Sequence, residues 1–305
     1  MDGSRTWVNR FSLAQPAPET RWLSAALAVV WAALALGLGF RQPWATWIWP
    51  FADGRLLYVF LASIAAAVAA PLAWIVLVDE PAALAGIAAD GVAIATGLTI
   101  ALVALGIARS DSRLLIYAAG AACSIMTAVA IFRATHRLPV RDQAPMPRLV
   151  RVAFVVFVAV LVSVAGSLIL RITGVFPWDL PSGTGALVGV MFLGAAAYFA
   201  YGVWRNTWAH AGGQLIGFLA YDAVLAIPYL QAFQERNKTT TSTDMYGYSV
   251  TSAANQVHTV SLVIYLSVIF ASAAIALYSL FIDRRTRIGR QLRRARVPLP
   301  ALAPD

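Results

Sequence analysis

VAFVVFVAVLVSVAGSLI, residues 152–169, carries no charge and no proline. An α-helix needs about 20 apolar residues to cross the hydrocarbon core of a bilayer. The run does not alternate between apolar and polar residues, so it reads as a membrane-spanning helix and not as a barrel strand. On either side of it lie four more uncharged runs: Trp22–Phe40, Leu56–Val78, Leu114–Phe132 and Val260–Ile282. Three others are long enough but carry polar residues: Ala82–Ala108, Thr184–Trp204 and Gly212–Phe233. The expectation is an all-α, polytopic transmembrane helix bundle of eight spans.

Composition agrees with a bilayer as the solvent. Of 305 residues, 60% are hydrophobic and 12% charged, where a soluble domain carries about 25% charged residues. The first span reads as retained and not as a cleaved signal peptide, because a polar arm precedes it and Arg41 follows it. The single cysteine, Cys123, lies inside a span and reads as a small apolar residue.

Charge position sets the expected orientation. With the N-terminus inside, the inner segments hold 16 of the 23 Lys and Arg residues and the outer segments 7. Basic residues collect in cytoplasmic loops, so both termini are expected in the cytoplasm, at a bacterial inner membrane. The run RRTRIGRQLRRAR, Arg284–Arg296, is expected to lie on anionic lipid, with a partner-docking tail as the alternative. The high pI then calls for no nucleic acid.

The chain divides into an arm (1–21), a first four-span unit (22–132), an Arg-rich linker (133–151), a second four-span unit (152–282) and a basic tail (283–305). The two units share features. Phe40-Arg41 and Leu170-Arg171 each end a span. Each is followed by aromatic-Pro-aromatic, Trp49-Pro50-Phe51 or Phe176-Pro177-Trp178, and then by Asp53 or Asp179. Further on, LAGIAAD (84–90) is similar to LIGFLAYD (215–222). These matches suggest two parallel repeats related by an axis along the membrane normal. The aromatic-Pro-aromatic outer junction resembles a loose group of uncharacterised bacterial polytopic membrane proteins. Arg outnumbers Lys 22 to 1, as in GC-rich bacteria. The resemblance implies no activity.

Asp222 is the leading candidate for chemistry. A carboxylate within a bilayer is costly unless paired or wetted, so it faces the bundle interior or a cavity. Tyr201, Tyr221 and Gln214 are its expected neighbours. The competing reading is a buried acid that holds helices together. Asp90, aligned one residue out of phase with Asp222, is turned by about 100° on an ideal helix and reads as an acid near the interface. At the junctions, Arg41 with Asp53 and Arg171 with Asp179 are expected to pair, within an aromatic belt that includes Trp49 and Trp178. An outer pocket for an anionic or amphiphilic ligand is the alternative there. GALVG (185–189) favours close packing within the chain or across a homodimer. The loop 234–256, rich in Thr and Ser, reads as solvated.

His136, His210 and His258 do not cluster, so no metal site is expected, and no nucleotide, hydrolase or other cofactor motif is present. Three function classes remain. The first is a non-catalytic scaffold, sensor or accessory subunit with tightly packed halves. The second is a small proton- or cation-linked transporter with a cavity between the halves and Asp222 as coupling or binding group. The third is a lipid-acting enzyme in which Arg41, Arg171, Asp53 and Asp179 converge.

Overall fold

The computed structural model describes residues 18–51, 54–235, 239–243, 249–253 and 257–295. Among these, eight helices are long and apolar enough to cross a membrane. They are α1 (Pro18–Gly39), α2 (Arg55–Val78), α3 (Leu84–Arg109), α4 (Ser112–Thr135), α5 (Arg148–Ile169), α6 (Thr184–Arg205), α7 (Trp208–Glu235) and α8 (Thr259–Leu277). The last continues as a π-helical turn, Tyr278–Ile282, and a short α9 (Ile288–Ala295) follows. The fold is the all-α polytopic bundle expected, with one local difference. Within the loop read as solvated, strands β1 (Thr239–Thr243) and β2 (Ser249–Ala253) pair antiparallel, with Thr239 opposite Ala253.

Four helices form the centre. α2 packs on α7 and α3 on α6, so each half of the chain grips the other. α1 and α4 flank α2 and α3, while α5 and α8 flank α6 and α7. Exchanging the halves leaves this pattern unchanged: the α1–α2, α3–α4 and α2–α7 pairs become α5–α6, α7–α8 and α6–α3. The face where α1 begins is called the terminal face below, and the opposite one the junction face.

Small residues bring the central helices together. Lipid is as apolar as leucine, so helices in a bilayer associate through close van der Waals packing. A Cβ placed on Gly97 would meet Val190 at 2.5 Å, and one on Gly194 would meet Ile94 at 2.2 Å. Across α2 and α7, a Cβ on Gly217 would lie 2.9 Å from the Ala67 carbonyl oxygen. Gly189 of the GALVG stretch lies equally close to the Ala165 carbonyl, at 2.9 Å. That stretch therefore packs α6 on α5 within the chain. Cys123 is exposed on the lipid-facing side of α4 and not buried.

Local backbone features recur between the halves. Arg41 (φ 53°) and Arg171 (φ 60°) both end their helices in the left-handed region, as do Asp79 (φ 54°) and Asn206 (φ 49°). The amides of Arg41 and Arg171 donate to Leu38 and Leu168 at 3.0 and 3.1 Å, the same helix-ending turn twice. Helix contacts follow a 127-residue offset: Gly86 meets Tyr198 as Gly213 meets Pro71, and Asp90 meets Gly194 as Gly217 meets Ala67. In this register Asp90 corresponds to Gly217, and Asp222 to Ala95. The two acids are not equivalent positions.

Candidate functional site

Between the halves lies a cavity of about 150 Å³. Ile64, Ala67 and Val68 of α2 and Asp90 and Ile94 of α3 wall it from the first half. Side chains from α5, α6, α7 and α8 close it from the second. The wall is apolar except for Asp90, Asp222, Gln214, Ser272 and the tyrosines 198, 221 and 265. Thus Asp90 and Asp222 reach one cavity despite the 100° rotation expected between them, because they approach it from different helices at non-equivalent positions.

Asp222 sits midway along α7 and is 3% exposed. Its Oδ2 accepts a hydrogen bond of 2.8 Å from Ser272 Oγ on α8, and its Oδ1 has no partner among the described residues. Ser272 Oγ also lies 2.7 Å from the Val268 carbonyl oxygen. One hydroxyl proton therefore serves either the carboxylate or the backbone carbonyl. Asp90 Oδ1 is buried against Gly194 and unpartnered. Among the described residues, no Arg, Lys or His walls the cavity.

The other expected neighbours divide. Tyr221 and Gln214 wall the cavity. The Gln214 side-chain amide donates to the Tyr198 carbonyl oxygen, leaving Oε1 unpartnered. Tyr201 does not wall it: its ring packs on Phe132, Trp204 and His210. Tyr201 is one turn past Tyr198 on α6, nearer the terminal face, so the side chain that reaches the cavity is Tyr198. Ser272 was not singled out in the sequence. Fifty residues separate it from Asp222, and a lone serine in an apolar helix gives no signal of its partner.

At the junction face, Asp53 lies outside the described residues, so its pairing with Arg41 has no structural description. Arg41 instead sits over the Tyr58 ring, 5.6 Å from its centroid. Arg171 and Asp179 share the wall of a 230 Å³ cavity but do not pair. The side-chain partner of Asp179 is His258, whose Nε2 lies 3.0 Å from Oδ1. The reason is local: the His258 amide donates to the Pro177 carbonyl at 2.8 Å, and Trp178 bridges to Val257, so α8 begins directly over Asp179. Phe176 is 2% exposed and stacks edge-on with Phe60 and Trp178, so it belongs to the core and not to a surface belt. Trp49, at 9% exposure, is likewise buried, while Trp44 and Trp47 face outward. Arg41 does not wall that 230 Å³ cavity.

A second cluster lies at the terminal face. Glu80 follows α2, and its Oε2 accepts from the amides of Arg141 and Asp142 at 2.9 and 3.4 Å. Arg141 in turn pairs with Asp79 at 2.6 Å. The amide of Trp208 donates to Ala144, and that of Met146 to Asn206. The linker between the halves is thereby clasped to both of them. Burial pushes the Glu80 carboxyl up from its ordinary 4.5 to about 7, against the opposing pull of the two amides and Arg141.

Among the described residues no group of three His, Cys, Asp or Glu side chains could hold a metal ion. Comparison with protein-family models, curated proteins and solved structures finds no match for this chain. It is an integral membrane protein by its eight spans.

Proposed function

We propose that the chain is a small proton- or cation-linked transporter built from two parallel four-span repeats. The substrate site is the cavity between the halves, and Asp222 is its binding or coupling group. The observation that carries this reading is the cavity itself, whose wall holds one carboxylate from each half and, among the described residues, no Arg, Lys or His. Ionisable residues at membrane depth pair or face a cavity and mark ion and substrate paths. The shared proton of Ser272 adds to it, since the hydroxyl can turn from Asp222 to Val268 when the carboxyl takes up a proton or a cation arrives. Repeat interfaces near the midplane are where parallel-repeat transporters hold substrate.

The repeat boundaries are 22–132 and 152–282, with the clasped linker between them. The matched helix ends and the 127-residue contact register support this division. Both termini face the cytoplasm of a bacterial inner membrane, and Arg284–Arg296 rests on anionic lipid; α9 and exposed Arg284, Arg285 and Arg287 suit that surface. The reading as a non-catalytic scaffold or accessory subunit, with a protein or homodimer partner, is favoured by one observation: the cavity wall is mostly apolar. The enzyme reading has less support, because Arg41, Arg171 and Asp179 do not gather around one cleft.

Ser272→Cys in a Cys123→Ala background tests the proposal. A small water-borne methanethiosulfonate should modify Cys at 272 from at least one face. A thiol inert from both faces would mean a cavity closed to water on both sides, and the scaffold reading would replace this one.

A further inference from the structure

The cavity is not closed on all sides. Val160 of α5 and Ile264 of α8 both wall it, yet they are 39% and 56% exposed. Both lie within spans, so what they are exposed to is lipid. α5 and α8 each pack on their hairpin partner, α6 or α7, and leave this gap between them. It lies toward the junction-face half of the bilayer, since Ile264 is only five residues past the start of α8. The cavity that Asp222 walls therefore has lipid-facing residues on this side.

The polar groups inside are unbalanced. Asp222 Oδ1 has no partner among the described residues, whereas Asp90 Oδ1 and Gln214 Oε1, also unpartnered among them, press on Gly194 and Gly202 of α6. Of the unpartnered atoms in the wall, only the Tyr265 hydroxyl can donate. Asp222 is 97% buried by its 3% exposure, so its free oxygen is a true deficit and not a solvated one. An occupant that satisfies Asp222 Oδ1 brings a hydrogen-bond donor, and a cationic donor also balances the charge of the ionised carboxylate. The volume limits it further. About 150 Å³ accommodates a benzene-sized group, which is a polar head and a few carbons, not a whole lipid. The rest of the molecule must remain in the gap between α5 and α8. The aromatic wall, with Phe157, Phe199, Phe218 and Tyr221, suits an ammonium head.

We infer that the cavity takes a single-chain amphiphilic amine from the lipid phase, with its amino head on Asp222 and its tail in the gap between α5 and α8. This rests on the transporter reading above and names its substrate class. Neutral amphiphiles lack the charge the acids call for, and carboxylic amphiphiles add a third anion.

The test uses the full chain in phosphatidylcholine nanodiscs, with dodecylamine and dodecanol as probes and empty discs as the partition control. Dodecylamine should bind saturably, one per chain, at least tenfold more tightly than dodecanol. Asp222→Asn should weaken the amine at least tenfold and leave dodecanol unchanged. Ile264→Trp, at the half-exposed edge of the cavity wall, should block both probes. Equal affinities for the two probes, or an amine affinity indifferent to Asp222→Asn, would overturn the amine class and leave the cavity as a binding site. No saturable binding of either probe, with Cys at 272 still reactive to the water-borne reagent, would overturn this inference but not the transporter reading. No binding together with an inert Cys at 272 would overturn both.

Discussion

Ser272 Oγ on α8 donates to Asp222 Oδ2 on α7 at 2.8 Å, and no other group from the described residues partners that carboxylate. The bond ties together two helices of one half at the cavity wall. Because Asp222 is 3% exposed, water replaces a lost partner poorly there. Ser272→Ala should therefore destabilise the protein by about 1–3 kcal/mol, the cost of a buried polar group left without its bond. Asp222→Asn keeps a side chain able to meet the hydroxyl and should cost less. A thermal-stability cycle over the two single variants and the double should give a coupling of about 0.5 kcal/mol or more. Strict additivity would mean that the bond contributes nothing.

Glu80 predicts how stability depends on pH. Its carboxyl is raised from 4.5 to about 7 by burial. The folded state thus holds the proton more tightly than the unfolded one. The stability from that proton is fully present below pH 4.5 and is lost as pH rises through 7. The loss is on the order of 3 kcal/mol for a shift of this size. The melting midpoint in one detergent should fall between pH 5 and 8. Glu80→Gln, which still accepts from the Arg141 and Asp142 amides, should flatten that slope. An equal slope in wild type and variant would place the titration elsewhere.

The close approach of α3 to α6 makes Gly194 intolerant of a methyl group. A Cβ there would lie 2.2 Å from Ile94 and 2.4 Å from Asp90 Oδ1. Overpacking of this kind costs about 1–3 kcal/mol, and it displaces Asp90 from the cavity wall. Gly194→Ala should lower the melting midpoint and weaken any ligand that uses Asp90. Gly120→Ala is the matched control, because nothing lies within 4 Å of a Cβ on that lipid-facing glycine. It should be neutral or stabilising by about 0.4–1 kcal/mol. A Gly194→Ala protein as stable as the Gly120→Ala protein would mean that α3 and α6 are not in tight contact.

Much of this architecture was legible in the sequence because length and apolarity alone define a span. All eight runs are helices, and the GALVG stretch occupies a packing seam within the chain, as its small residues suggest. The site was legible only in part. Asp222 stood out because an acid in an apolar helix is anomalous wherever it points. Its partner did not, because a serine is common in spans and the α7–α8 register is set by tertiary packing. The Arg171–Asp179 pairing failed for a similar reason: proximity along the chain suggested it, and the return of α8 over Pro177 brought His258 closer. Asp90 reads as near the interface because it lies close to the start of its span, and alignment set it one residue out of phase with Asp222, while the helix contacts follow a different offset.

Orientation is testable through the same alternation of spans. The turn between α3 and α4 lies on the junction face, where Ser112 is exposed, and the linker after α4 lies on the terminal face, where Arg137 is exposed. Basic residues concentrate on the terminal face, so that face should be cytoplasmic. In a Cys123→Ala background, Ser112→Cys should react with a membrane-impermeant maleimide added to intact cells. Arg137→Cys should react only after the membrane is opened. The reverse pattern would invert the topology and place the Glu80 clasp outside. Its carboxyl, which titrates at about 7, would then respond to the pH of the surroundings and not to that of the cytoplasm.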